Sequence, residues 1–200
     1  MGYTPSFEIN SDSGTLQSIP KKKWIIPTVV VVSVVVILST GIIASVLIFR
    51  VARTRVYTVA TSNMSPVLVQ GDKVSVNTHA YKKTKPKRGD IIVLEAPSSI
   101  KRDSSNITSI ISRVIGVSGE TIEGKCSGEP PCRVQIYINN KKINESYLSK
   151  NIQYEPFPEI QIPQNSVFVM GDNRSDSADS RFYGPIQDNT IAGKIIRKIN

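Results

Sequence analysis

Histidine and cysteine are scarce in this 200-residue sequence, which contains one histidine and two cysteines. A structural zinc site takes four ligands, usually from these residue types, and His79 is far along the chain from Cys126 and Cys132. No metal site and no cofactor are therefore expected. A disulfide between Cys126 and Cys132 is expected if this part of the chain lies outside the cytoplasm, and two unpaired structural cysteines are the alternative.

Charged residues are absent from Ile25 to Phe49. Roughly 20 apolar residues in an α-helix cross a hydrocarbon core of about 30 Å. A cleavable signal peptide has an apolar region of only about 7–15 residues, and a buried core helix is rarely apolar all round over such a length. The run therefore predicts one transmembrane helix over residues 25–49.

The flanks of this run are polar and basic. Residues 1–24 carry many Ser, Thr, Pro and Gly residues and predict a disordered tail. Residues 50–55 predict a short basic stem. Lysines at 21–23 and arginines at 50, 53 and 55 balance each other, so the positive-inside rule does not decide the orientation of the helix.

The formal net charge of +9 raises the possibility of a nucleic-acid partner. The basic residues, however, cluster at the ends of the apolar run and in one Pro-containing stretch, residues 82–88. Membrane lipid explains the first group, since an anionic surface attracts each nearby Lys or Arg with about 1 kcal/mol. A solvated loop is the simpler explanation for residues 82–88. We therefore expect a lipid contact and no nucleic acid.

Short apolar runs separated by turn residues fill the rest of the chain, with no helical periodicity of any length. They predict a mostly β domain over residues 56–200. Asn139-Asn140 predicts a hairpin turn, and three prolines between Gln153 and Gln164 exclude a regular helix or central strand there. The predicted strands are Val56–Ala60, Lys73–Asn77, Asp90–Leu94, Ile107–Val117, Val134–Ile138, Ser166–Met170 and Lys194–Ile199.

A dense polar stretch, MGDNRSDSADSRFYGPI, occupies residues 170–186. Such a stretch is usually a surface loop. Here it directly follows the apolar strand SVFVM and precedes the aromatic pair Phe182-Tyr183. This context favours side chains that fold inward, with Arg–carboxylate pairs holding the backbone.

This stretch, preceded in order by GDKVSVN (71–77), RGDIIVLEAP (88–97) and RVIGVSGE (113–120), resembles the bacterial type I signal peptidases. These are membrane-anchored serine endopeptidases that remove signal peptides from exported proteins. The resemblance implies a plasma-membrane protein with a cytoplasmic N-terminus and a β-rich extracytoplasmic domain. It also implies a Ser–Lys dyad, in which a desolvated lysine takes the proton of the serine.

Both positions of the dyad are substituted in this sequence. The frame Met64-Ser65-Pro66 places Asn63 where the family has its nucleophilic serine, and the frame Arg113 to Gly116 places Ser112 where it has its lysine. The resemblance nevertheless retains the surrounding residues. It implies an oxyanion position at Thr61, a lysine-orienting serine at Ser177, and the ion pairs Asp172–Arg113 and Asp179–Arg181.

Three functions follow from this pattern. The first is an inactive homologue that binds exported precursor proteins or signal peptides, as an accessory of secretion or of surface or pilus assembly. The second is an active signal peptidase in which Ser62 replaces the nucleophile, although adjacent side chains in extended backbone point to opposite sides. The third is a membrane protein that uses the fold for assembly alone.

Overall fold

The computed structural model describes residues 25–51, 53–97, 108–128, 133–149 and 154–199. The chain divides into two compact units, Met1–Arg50 and Val51–Asn200. The predicted tail, residues 1–24, lies outside the described residues.

One long helix, α1, runs from Ile25 to Val51. Its stretch Val29–Ile48 is long and apolar enough to cross a membrane, and none of that stretch is buried within the protein. The hydroxyls of Ser33 and Thr40 donate to the carbonyls of Val29 and Val36, so these polar groups are satisfied inside the helix. Since α1 ends at Val51 and the first strand starts at Thr54, the predicted stem 50–55 is divided between the two elements.

The second unit is built almost entirely of strands. These are β1 (Thr54–Thr58), β2 (Lys73–Asn77), β3 (Ile91–Glu95), β4 (Ser109–Gly116), β5 (Thr121–Ser127), β6 (Arg133–Ile138), β7 (Lys141–Lys142), β8 (Phe157–Gln161), β9 (Ser166–Met170), β10 (Ile186–Gln187) and β11 (Ile191–Ile199). A one-turn helix, α2 (Ser180–Tyr183), and a 3₁₀ turn (Asp188–Thr190) precede β10 and β11, respectively.

The strands form two antiparallel sheets. The large sheet has the order β1-β2-β11-β3-β4-β9-β10, and the small sheet has the order β7-β6-β5-β8. Strands β4 and β9 are buried almost throughout, because apolar clusters cover both faces of the large sheet. A third cluster, with Ile122 and Ile136 from the small sheet and Phe168 and Met170 from β9, packs the two sheets against each other.

The predicted strands are present, and two of them, Lys73–Asn77 and Ser166–Met170, have the predicted bounds. The Asn139-Asn140 hairpin turn is confirmed: both residues have positive φ, 48° and 61°, and they join β6 to β7.

Strands β5 and β8 are not among the predicted strands. In β5 the inward position 124 is a glycine, because a Cβ there would lie 2.6 Å from the Phe157 ring, and this breaks the apolar alternation. Strand β8 contains Pro158 and lies at the edge of the small sheet, where a missing N–H is tolerated. The prolines therefore exclude a central strand but not an edge strand.

Candidate active site

The loop between β1 and β2 that carries Asn63 is anchored by apolar side chains. Met64 and Leu68 are buried in the cluster beneath β2, and the Leu68 N–H donates to the Met64 carbonyl at 2.9 Å. The Ser65 N–H closes a turn on the Ser62 carbonyl. This anchoring fixes the direction of each side chain in the loop.

Asn63 is buried, and both ends of its amide are hydrogen-bonded. Its Nδ2 donates to the Ile111 carbonyl at 2.7 Å, and its Oδ1 accepts from the Thr61 hydroxyl at 2.7 Å. The Asn63 carbonyl in turn accepts from the Asn173 N–H at 3.0 Å. Asn63 therefore connects its own loop to β4 and to the polar stretch of residues 171–181, called the site loop below.

The Ile111 carbonyl is available to Asn63 because of where β9 ends. The Val114 N–H donates to the Asp90 carbonyl on the β3 side of β4. Peptide groups alternate along an antiparallel strand, so the Ile111 carbonyl points to the opposite side. There β9 pairs with β4 only as far as Met170, opposite Arg113. Asn63 thus donates a hydrogen bond to the Ile111 carbonyl at a position where β9 no longer pairs with β4.

Ser112 is 1% exposed and lies opposite Ile92 of β3. Its hydroxyl has no hydrogen-bond partner, and neither has the buried hydroxyl of Ser177. Two hydroxyls of the site therefore lack a hydrogen-bond partner, one at the predicted base position and one at the predicted lysine-orienting position.

Gly171 allows Ser177 and the Asn63 backbone to come close together. A Cβ at position 171 would lie 2.3 Å from the Ser177 Oγ and 2.5 Å from the Asn63 carbonyl oxygen. No side chain fits at such distances, so this position requires glycine.

The two expected ion pairs of the site are formed. Arg113 Nε and Nη2 donate to the two carboxylate oxygens of Asp172 at 2.8 and 2.6 Å. Arg181 binds the Asp179 carboxylate in the same bidentate manner, at 2.8 Å for both contacts. Asp179 also accepts from the Gly171 N–H at 3.0 Å, so the second pair holds the start of the site loop.

Arg174 is a third arginine of the site and is 1% exposed, and its role was not predicted. Its guanidinium donates to the Glu145 carboxylate and to the hydroxyls of Tyr147 and Tyr154, while its Nε donates to the Gly171 carbonyl. Burial alone would lower the pKa of Arg174, but Glu145 more than offsets this and the pKa is raised. Since Glu145 is 29 residues away, the sequence offers only the position of Arg174 in the polar stretch as a signal.

Ser62 is exposed, unlike the buried Asn63 beside it. Its hydroxyl donates to Asp176 Oδ2 at 3.0 Å, and this contact is also exposed. The two neighbouring side chains thus engage different partners, as expected for adjacent residues. A serine–carboxylate pair is present at Ser62, but it lies outside the buried site.

A small cavity of about 40 Å³ adjoins Asn63. It is lined by the end of β1 and the residues after it, Tyr57 to Thr61, and by the first part of β4, Ser109 to Ile111. Thr61 also lines this cavity, and its hydroxyl donates a hydrogen bond to Asn63 Oδ1. This volume exceeds the roughly 10–15 Å³ that one water requires and suits a small side chain.

Among the described residues, no group of three or more His, Cys, Asp or Glu side chains could hold a metal ion. His79 instead contacts the hydroxyl of Thr78. Cys126 is disulfide-bonded, while Cys132 lies outside the described residues. The pairing of Cys126 with Cys132 remains a prediction.

These features define a class: a β-domain with a buried Arg–carboxylate site, in a chain that also has one helix able to span a membrane. The family model for signal peptidase, peptidase S26, matches residues 25–199. The chain therefore belongs to the signal peptidase S26 family.

Individual relatives agree with this family. The chain is 31% identical over 172 residues to signal peptidase IB of Staphylococcus aureus, covering 76% of this chain and 82% of that protein. It is 32% identical over 139 residues to signal peptidase I of Leptolyngbya laminosa, covering 69% of this chain and 64% of that protein's length. A crystal structure of signal peptidase I from Enterococcus faecalis matches 56% of this chain and 98% of its own, with a TM-score of 0.44 and 29% identity.

Proposed function

We propose that this protein is a catalytically inactive signal peptidase homologue of the plasma membrane that binds exported precursor proteins. The observation that carries the proposal is the pair of residues at the dyad positions, Asn63 and Ser112. An amide nitrogen is a poor nucleophile, and both ends of the Asn63 amide are engaged. Serine has no basic group at neutral pH, so Ser112 cannot take a proton from a nucleophile.

The alternative is an active peptidase that uses Ser62. Ser62 has a hydroxyl and a carboxylate partner, Asp176. A serine nucleophile is activated by a base held beside it in the site, whereas the Ser62–Asp176 contact is exposed to solvent. Neither Ser62 nor Asp176 lines the cavity beside Asn63. These features favour the inactive protein.

The cavity beside Asn63 supports peptide binding. It is lined by the end of β1 with the residues after it, Tyr57 to Thr61, and by the start of β4, Ser109 to Ile111. An extended peptide laid between such segments gains main-chain hydrogen bonds by β-addition, and pockets select its alternate side chains. About 40 Å³ admits only a small side chain, which suits a precursor with alanine at the bound position.

The location proposed for this protein is a single-pass arrangement with a cytoplasmic N-terminus and an extracytoplasmic β-domain. Helix α1 has the length and composition to cross a membrane. The disulfide bond of Cys126 fits an oxidising compartment outside the cytoplasm. In this arrangement the β-domain meets precursors after they cross the membrane, as an accessory of secretion or of surface or pilus assembly would.

The proposal is tested with the full chain in detergent micelles and a precursor that carries alanines around its cleavage site. We expect the precursor to bind and to remain uncut. Thr58→Phe should abolish binding because Thr58 lines the cavity, while the same change at Thr54, another exposed threonine of β1, should not. Precursor cleavage that disappears in Ser62→Ala would establish the alternative. Equal binding by both phenylalanine variants would refute precursor binding at the cavity beside Asn63.

A further inference from the structure

A second and larger cavity, of about 600 Å³, lies on the small sheet. One wall is the first half of β6, Arg133 to Gln135, and the other is the segment from Lys142 to Leu148. The volume falls in the range of about 300–1,000 Å³ that is typical of ligand sites. None of its lining residues lines the cavity beside Asn63.

The β6 wall is a sheet edge whose partner strand is too short to cover it. Strand β7 has two residues, which pair with Tyr137 and Ile138. The Ile143 N–H makes one further bond to the Ile136 carbonyl at 3.0 Å. Among the described residues, no strand continues this pairing along the rest of β6.

The backbone of β6 presents polar groups to the cavity. Peptide groups two residues apart on a strand point to the same side, so Val134 faces the same way as Ile136. In agreement with this, the Val134 carbonyl accepts from the Tyr154 hydroxyl at 3.4 Å, and Tyr154 lines the cavity. This cavity, which lies beside an incompletely paired strand, is called the slot below.

The side chains that line this slot leave an excess of positive charge. Arg133 and Lys142 are both exposed, and neither forms an ion pair within the described part of the chain. The carboxylate of Glu145 is the lining anion, and buried Arg174 already neutralises it. Leu148 adds an apolar side chain to the lining, while the side chain of Val134 is buried.

We propose that this slot binds an extended acidic segment of a partner polypeptide, which adds a strand to the free part of β6. Main-chain hydrogen bonds to β6 would hold the segment, as in β-addition. Its side chains alternate in direction, so acidic residues can reach Arg133 and Lys142 while apolar residues meet Leu148. This binding goes beyond the proposed function and needs neither Asn63 nor its cavity.

The test uses the full chain in detergent micelles and a fluorescein-labelled peptide of alternating Glu and Val residues, with a Lys–Val peptide for comparison. Fluorescence anisotropy should show binding of the acidic peptide only, weakening as salt is raised because the contacts are exposed charges. Lys142→Glu should weaken binding by about tenfold. Lys141→Glu is the matched control: it makes the same charge change on the same exposed two-residue strand, and Lys141 does not line the slot.

Equal weakening by the two lysine variants, or equal binding of both peptides, would overturn the proposal. Displacement of the acidic peptide by millimolar inorganic phosphate would indicate a small-anion site instead. Hydrogen exchange adds a direct check of the geometry. The Val134 amide, which faces the slot, should exchange more slowly with bound peptide, and an unchanged rate would contradict strand addition. Thr58→Phe should leave this binding intact, so failure here and failure of the proposed function are distinguishable.

Discussion

At the scale of single residues, Asn63 and Ser112 differ in how well their polar groups are satisfied. Asn63 has partners for both ends of its amide, whereas the Ser112 hydroxyl is buried without one. A buried polar group left without a partner costs about 1–3 kcal/mol. Asn63 therefore stabilises the present site, while Ser112 does not.

This difference predicts that two alanine substitutions affect the free energy of unfolding differently. Asn63→Ala should lower the free energy of unfolding by about 1–3 kcal/mol, since it removes two hydrogen bonds and leaves the Ile111 carbonyl without its amide donor. Ser112→Ala should leave stability unchanged or raise it slightly. Thermal unfolding followed by circular dichroism measures both. A larger loss for Ser112→Ala than for Asn63→Ala would show that the Ser112 hydroxyl has a partner after all.

The two dyad positions could be identified from sequence because short motifs beside them, Met64-Ser65-Pro66 and Arg113 to Gly116, fix the frame. The contacts of Asn63 could not be identified in this way. Its partner Ile111 is 48 residues away, and that carbonyl is free only because β9 stops pairing opposite Arg113. Such a contact depends on strand lengths and register, which the local sequence does not specify.

At the scale of elements, the site loop is held by three arginines rather than by the two that were expected to form pairs. The third, Arg174, joins the loop to the segment after β7 through Glu145. The apolar strand directly before the loop indicated that the loop folds inward. It could not indicate Glu145, which lies in a segment with no regular pattern.

Removing Glu145 should therefore destabilise the protein strongly. Glu145→Ala leaves Arg174 buried without a carboxylate, and breaking a buried pair in this way typically costs about 3–5 kcal/mol. Lys85→Ala is the control, because it removes an exposed ion pair with Asp188 that is worth about 1 kcal/mol or less. Thermal unfolding compares the two variants, and similar losses would contradict a structural role for the Arg174 contacts.

Asp90 gives the fold a predictable response to acid. Burial would raise the pKa of its carboxyl, but hydrogen bonds from Lys194, the Lys87 N–H and Tyr81 outweigh it and the pKa is below the ordinary value of 3.8. The unfolded chain therefore binds a proton more readily than the folded one. Asp90 contributes stability at pH values above 3.8, and this contribution is lost as the pH falls through the lower folded pKa.

We therefore expect the stability of the wild type to fall more steeply below about pH 5 than that of Asp90→Asn. The measurement is the unfolding midpoint of both proteins at a series of acidic pH values. Parallel pH profiles would mean that Asp90 ionises alike in the folded and unfolded chains.

At the scale of the whole molecule, the chain combines one helix able to span a membrane with a two-sheet β-domain of the signal peptidase family. The apolar run and the β pattern were sufficient to predict both parts. The small sheet was predicted only in part, since Gly124 and Pro158 hide two of its strands. The proposed slot was not predicted, because it depends on the shortness of β7.

The central claim is that an intact site has lost only its two reacting groups. Cleavage of an alanine-containing precursor by the full chain in detergent tests this most directly, comparing the wild type with Asn63→Ser, Ser112→Lys and the double variant. A lysine at 112 would start from a buried position and could meet the unpartnered Ser177 hydroxyl, and burial lowers its pKa toward the neutral form. We predict cleavage by the double variant alone. Cleavage by the wild type, or a folded double variant that binds the precursor without cutting it, would contradict the account.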